Sequence, residues 1–184
     1  MDNWKQTIAK IRDVKAELAL LDPAMGPAIA PPPGAGLRTI AVVERRIRHA
    51  LPPSYRAFLH VHDGWPLFFH DASLLGTREL SKPGPFHLTR AAFAAYETPI
   101  PEIGPPSRPQ GDAQSMIPFG IDPTATTIFA FNPGVTSADG EMEVILWVNG
   151  LGERAQNFSE FLEMSLEMLE LGLGEQRQPL KKSA

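Results

Sequence analysis

The stretch LPPSYRAFLHVHDGW at residues 51 to 65 constrains this chain most, because Pro52-Pro53 opens it and Asp63-Gly64 closes it. Proline has no N–H to give a helix interior, but the N–H groups of a first turn have no intrahelical partner anyway. A helix therefore starts near Pro53, and Tyr55, Phe58, Leu59 and His62 share its buried face. Asp63-Gly64 reads as the turn that ends it, with Gly64 at positive φ.

The same stretch holds two histidines one residue apart, His60 and His62, directly before an aspartate. On a strand that spacing turns both imidazoles to one side, as in some metal-dependent hydrolases. On a helix, residues i and i+2 lie about 200° apart, so the rings point to roughly opposite sides and cannot clamp one ion. His49, His70 and His87 lack acidic neighbours at ligand spacing. No metal site and no cofactor is expected. The competing reading, a small metal-dependent hydrolase working through His60 to Trp65, requires metal in the purified protein.

Upstream, Trp4, Ile8, Ile11, Val14, Leu18 and Leu21 recur at steps of three and four, an apolar stripe on a first helix over residues 1–22 with Asp2 as N-cap. The stripe can dock on the chain's own core or on another copy, which would make a homodimer. Residues 23–37 read as a Pro/Gly linker in which Pro31 to Pro33 favour extended backbone and Gly34 and Gly36 restore flexibility. These glycines are not a phosphate loop, since no lysine and hydroxyl residue follow them. Ile40, Val43, Ile47 and Leu51 mark a second amphipathic helix, polar at Glu44, Arg45, Arg46 and Arg48.

Downstream, PLFF and SLLGTREL read as two short strands, or a strand and a turn, at about 66 to 70 and 73 to 80. Residues 81–113 form a Pro-rich insertion with a helical island at Leu88 to Tyr96. SMIPFGID, TTIFAFN and EVILWVN are three strands that can pair as an antiparallel meander. Asn157 then caps a closing helix, with Glu160 reaching back and Phe158, Phe161, Leu162, Leu166, Met168 and Leu169 on its apolar side. Gly172 and Gly174 are expected to stop it, leaving residues 173–184 as a disordered tail.

Composition narrows the function classes. The chain has 184 residues, room for one sizeable core, and a net charge of -4 without a Lys/Arg stripe, which argues against a nucleic-acid binder. Without cysteine there is no disulfide framework or thiolate chemistry, and no run approaches the roughly 18 to 20 apolar residues of a membrane span. A cytoplasmic protein is expected. Its abundant Ala, Pro, Gly and Arg fit a GC-rich bacterial genome.

Helices, antiparallel strands and a closing helix make an α+β pattern, with the sheet packed against N-terminal helices and a C-terminal helix, which cover one face. ERRIRHALPPSYRAFLHVHDGW resembles the signature of the SUKH superfamily, the domain of fungal cell-wall-assembly regulators and of many bacterial immunity proteins. The matching positions are Glu44, Leu51 and Pro52, Tyr55, Phe58 and Leu59, and Asp63-Gly64. LLGTREL, MIPFGID, FAF, the strand ending in Trp147 and NFSEFLE continue the likeness, over roughly residues 38 to 170 of an expected domain at 38–172. Asp63 stands where asparagine is commoner. The Pro-rich insertion and the first helix with its linker also depart from the pattern.

The resemblance implies a non-catalytic protein-binding module. In that superfamily bacterial members typically neutralise polymorphic toxins, often nucleases, by direct contact. The sequence itself shows no nucleophile elbow, paired carboxylate motif or nucleotide fingerprint. Candidates for a partner surface are Asp63, Trp65, Arg78, Glu79 and Asp122. Each has a structural alternative: Trp65 packed over the end of its helix, Arg78 and Glu79 paired with each other, Asp63 and Asp122 as turn formers. Glu44 is expected to hold a basic side chain or a backbone N–H.

Overall fold

The computed structural model describes residues 3–22, 27–95, 114–148 and 151–177. Asp2, Tyr96 and most of the Pro-rich insertion lie outside these, as do Pro23 to Gly26 and residues 178–184.

In chain order the elements are α1 (Asn3–Leu21), α2 (Leu37–Ile47), α3 (Pro53–Val61), β1 (Trp65–Phe69), β2 (Ala72–Leu74), α4 (Thr77–Leu80), α5 (Pro83–Ala95), β3 (Ile117–Ile121), β4 (Thr127–Thr136), β5 (Met142–Val148), β6 (Leu151–Ala155) and α6 (Phe158–Arg177). The six strands form one antiparallel sheet in sequential order, β1-β2-β3-β4-β5-β6. The expected α+β architecture is present, and the predicted meander is its centre.

Alternation along the strands divides the side chains between two layers. Phe119, Phe129, Phe131, Val144 and Leu146 join Tyr55, Phe58, Phe158 and Phe161 in the main core under α1, α3 and α6. Phe119 and Phe131 stack at 4.1 Å, and Phe119 meets Phe161 edge-on at 5.2 Å. Ile128, Ala130, Ile145 and Trp147 face the other way, where Phe93 of α5 packs 5.2 Å from Trp147. Helices therefore cover both faces, not one, and this accounts for the nearly continuous burial of MEVILWV.

On the second face β5 and β6 also carry a buried ion pair, with Asn132 of β4 beside it. Arg154 Nη1 donates to Glu143 Oε2 at 2.7 Å, and Asn132 Nδ2 donates to the same oxygen at 2.9 Å. Both charged side chains are almost wholly out of water.

The first helix docks within its own chain. Trp4, Ile8, Ile11 and Leu18 are buried against α6, so the stripe that might have joined two copies is occupied. α1 and α6 run in the same direction: Trp4 and Phe158 both reach Phe58, while Glu17 and Arg177 pair at the far end. That packing explains why α6 passes through Gly172 and Gly174 to Arg177. Leu169 and Leu173 bury on the core, and tertiary contact outweighs the roughly 1 kcal/mol that each helical glycine costs.

Residues 27–36 have no regular structure but are not a loose linker. The Trp65 indole N–H donates to the Ile29 carbonyl at 2.7 Å, Asp63 N–H to Pro33 O at 3.3 Å, and Ala35 N–H to Leu59 O at 2.8 Å. Gly34 is required by contact and not by flexibility. A Cβ there would stand 1.9 Å from the His60 carbonyl oxygen.

Three local expectations change. Leu51 is buried but lies beyond α2, which ends at Ile47. TREL is a helical turn and not strand, so β2 stops at Leu74. α5 begins at Pro83, five residues before the predicted island, since Pro83 suits a first turn. At the sheet's margin, β1 is broken by Leu67 at φ 49. Its N–H donates to Ser73 Oγ at 3.0 Å and its carbonyl accepts from Lys15 Nζ at 2.6 Å. Burial lowers the Lys15 pKa.

Candidate functional site

α3 enters the core with both flanks tied. Glu141, from the turn before β5, accepts from Ser54 N–H at 2.7 Å and Ser54 Oγ at 2.6 Å, capping a helix whose own N-cap position is a proline. Glu44 accepts from Leu51 N–H at 3.1 Å and lies 3.9 Å from Arg56 Nε, so it serves both roles foreseen for it.

From α3, Tyr55 reaches across. Its hydroxyl donates to Leu75 O at 2.5 Å, and Leu75 N–H donates to Phe119 O at 2.7 Å. Burial raises the Tyr55 pKa well above the usual phenol value, with the charges of Asp63 and Glu79 adding to it. At the other end of α3, Asp63 accepts from the Thr77 N–H and hydroxyl, and Gly64 has φ 89. The segments around Glu44, Asp63, Gly76 and Phe119 thus meet in one internal network.

A family model described as SMI1 / KNR4 family (SUKH-1) matches residues 34–164. The chain belongs to the SMI1/KNR4 (SUKH-1) family. No curated protein matches it. The matched region begins at Gly34 and so takes in the end of the strap at residues 27–36, while α1 lies outside it.

In this SUKH-1 domain the residues singled out from sequence divide into two groups. Asp63 is committed to capping α4. Trp65 is corrected as a surface candidate: it is 0% exposed, packed 5.3 Å from Phe68 and bonded to the strap. Asp122 is 7% exposed and builds the β3–β4 turn, accepting from Thr126 N–H at 2.9 Å, Thr126 Oγ1 at 2.5 Å and Thr124 Oγ1 at 3.0 Å. Burial alone would raise its pKa, but these bonds prevail and lower it. Arg78 and Glu79 lie together on α4, 3.9 Å apart, with 82% and 41% of their side chains exposed. Of the five, this pair alone presents a charged surface.

The two histidines have separate partners. His60 Nδ1 lies 3.1 Å from the Ala35 carbonyl, while the His62 ring packs 5.9 Å from Phe58. His62 lies just past the helix in extended backbone, so helical phase alone does not set its direction. Burial lowers its pKa, and the Arg12 charge adds to this against a hydrogen bond to the Pro32 backbone that raises it. Among the described residues, no group of three or more His, Asp or Glu could hold a metal ion.

The outer face of α6 supplies what sequence reading passed over. Glu163, Glu167 and Glu170 are exposed there, at steps of four and three that place them on one ridge. The spacing was visible beside the apolar stripe. Among the described residues no helix is long and apolar enough to cross a membrane.

Proposed function

We propose that this SUKH-1 domain is a non-catalytic immunity protein that neutralises a cognate toxin by direct contact. The observation that carries this reading is the acidic ridge Glu163, Glu167 and Glu170 on α6. It suits a basic partner such as a nucleic-acid-cutting toxin domain, because complementary charge speeds encounter and disfavours wrong partners. Arg78 and Glu79 add a second exposed charged point on α4. The signature residues, by contrast, are spent on internal hydrogen bonds. A cytoplasmic location in a bacterial cell belongs to the same proposal.

The proposal predicts a toxin gene beside this one, and the test is co-expression with that toxin. The proposal expects co-purification and protection of the cell, with both lost in the Glu163→Lys, Glu167→Lys, Glu170→Lys triple variant while its melting temperature holds. Metal bound in the purified protein, together with an enzymatic activity abolished by His62→Ala, would overturn it in favour of a hydrolase.

A further inference from the structure

A cleft between the end of α2, the α4–α5 corner and the residues leading into β3 takes no part in the signature network. It encloses about 310 Å³. Arg46 and His49 line it on one side, Lys82 at the corner, and His87 and Arg90 from α5. No Asp or Glu is among its described lining residues. Elsewhere Arg154, Arg177 and Arg56 each meet a carboxylate, Glu143, Glu17 and Glu44. Among the described residues, Lys82 of the cleft does so, at 4.0 Å from Glu79 Oε1, and the structure gives Arg46 and Arg90 no such partner.

Arg90 is half-buried, and its Nε is closed off from solvent without a hydrogen-bond partner among the described residues. A guanidinium held this way has lost hydration that no described carboxylate replaces. The floor beside it is apolar, formed by Ile47, Leu80, Phe86 and Met116.

We propose that this cleft binds a small oxyanion carrying a flat or apolar body, of the size of an aryl phosphate or a mononucleotide. Gathered cations focus a positive potential into a concavity, and arginine's planar fork matches the geometry of phosphate oxygens. The apolar floor takes the body. The volume sits at the lower end of the roughly 300–1,000 Å³ of small-molecule sites, whereas a protein partner needs roughly 800 Å² of surface. None of Glu163, Glu167 and Glu170 lines the cleft, so its ligand is distinct from the acidic ridge on α6.

Calorimetric titration of the full chain with phenyl phosphate, inorganic phosphate and phenol tests this. Phenyl phosphate is expected to bind more tightly than inorganic phosphate, phenol not at all, and added NaCl to weaken binding. Arg90→Gln and Arg46→Gln are each expected to weaken phenyl phosphate binding about tenfold or more. Arg46 is exposed, so its variant keeps the fold, and an unchanged thermal melt checks that. Absence of phenyl phosphate binding at about 10 mM, equal binding of phenol, or unaltered affinity in Arg46→Gln would each overturn the assignment.

Discussion

Asp63 grips Thr77 twice: Oδ1 accepts from its backbone N–H at 2.6 Å and Oδ2 from its hydroxyl at 2.9 Å. The carboxylate that follows α3 thereby caps α4, a helix of four residues that could not persist alone. Asp63→Ala should cost about 1–2 kcal/mol of stability in chemical denaturation. Asp63→Asn should cost less than about 1 kcal/mol, since its amide oxygen still accepts from the N–H and either residue caps well. Equal losses in the two variants would count against the capping role.

Glycines of different standing should respond in opposite directions. Gly34→Ala sets a Cβ 1.9 Å from a backbone oxygen of α3 and forces the strap away, with an expected loss above about 3 kcal/mol. Gly172→Ala meets nothing within 4 Å inside α6 and should stabilise by about 0.5–1 kcal/mol. Thermal melts of the two variants report both signs.

Acid should weaken the β3–β4 turn through Asp122. Its pKa is lower in the folded chain than in the unfolded one, so its contribution is full above the unfolded value of about 3.9. That contribution disappears as pH falls through the folded value. Asp122→Asn should be less stable at neutral pH and show a flatter loss of stability below about pH 4 than the parent chain.

Removing one member of the buried pair should be costly. Glu143→Ala takes from Arg154 its carboxylate between β5 and β6, with an expected loss of about 3–5 kcal/mol, while the Glu143→Ala, Arg154→Met double variant should recover much of it. A double variant no better than the single would indicate that the pair contributes more than mutual neutralisation.

These effects also explain what could be read in advance. Pro52-Pro53, the three-strand meander and Asn157 with Glu160 signal locally, and each led to the right element. TREL looked like strand because the carboxylate that fixes it as helix stands fourteen positions earlier in the chain. LGERA has no alternation of apolar residues and becomes β6 only by pairing with β5. Residues 27–36 looked loose because their order comes from Trp65, Leu59 and the backbone of α3. Trp65 takes its packed alternative for the same reason. The charged ridge on α6 could have been found by spacing, whereas the cationic cleft could not, since its walls are distant in sequence.

The ammonium of Lys15 on the Leu67 carbonyl sits at the outermost strand of the sheet. A row of unsatisfied amide groups at such a border is a template for stacking like strands from other molecules, and a lysine laid across it is a known deterrent. Trimming the chain to its family-matched part would remove that lysine with α1, and β1 would keep only Pro66 and its break at Leu67 as guards.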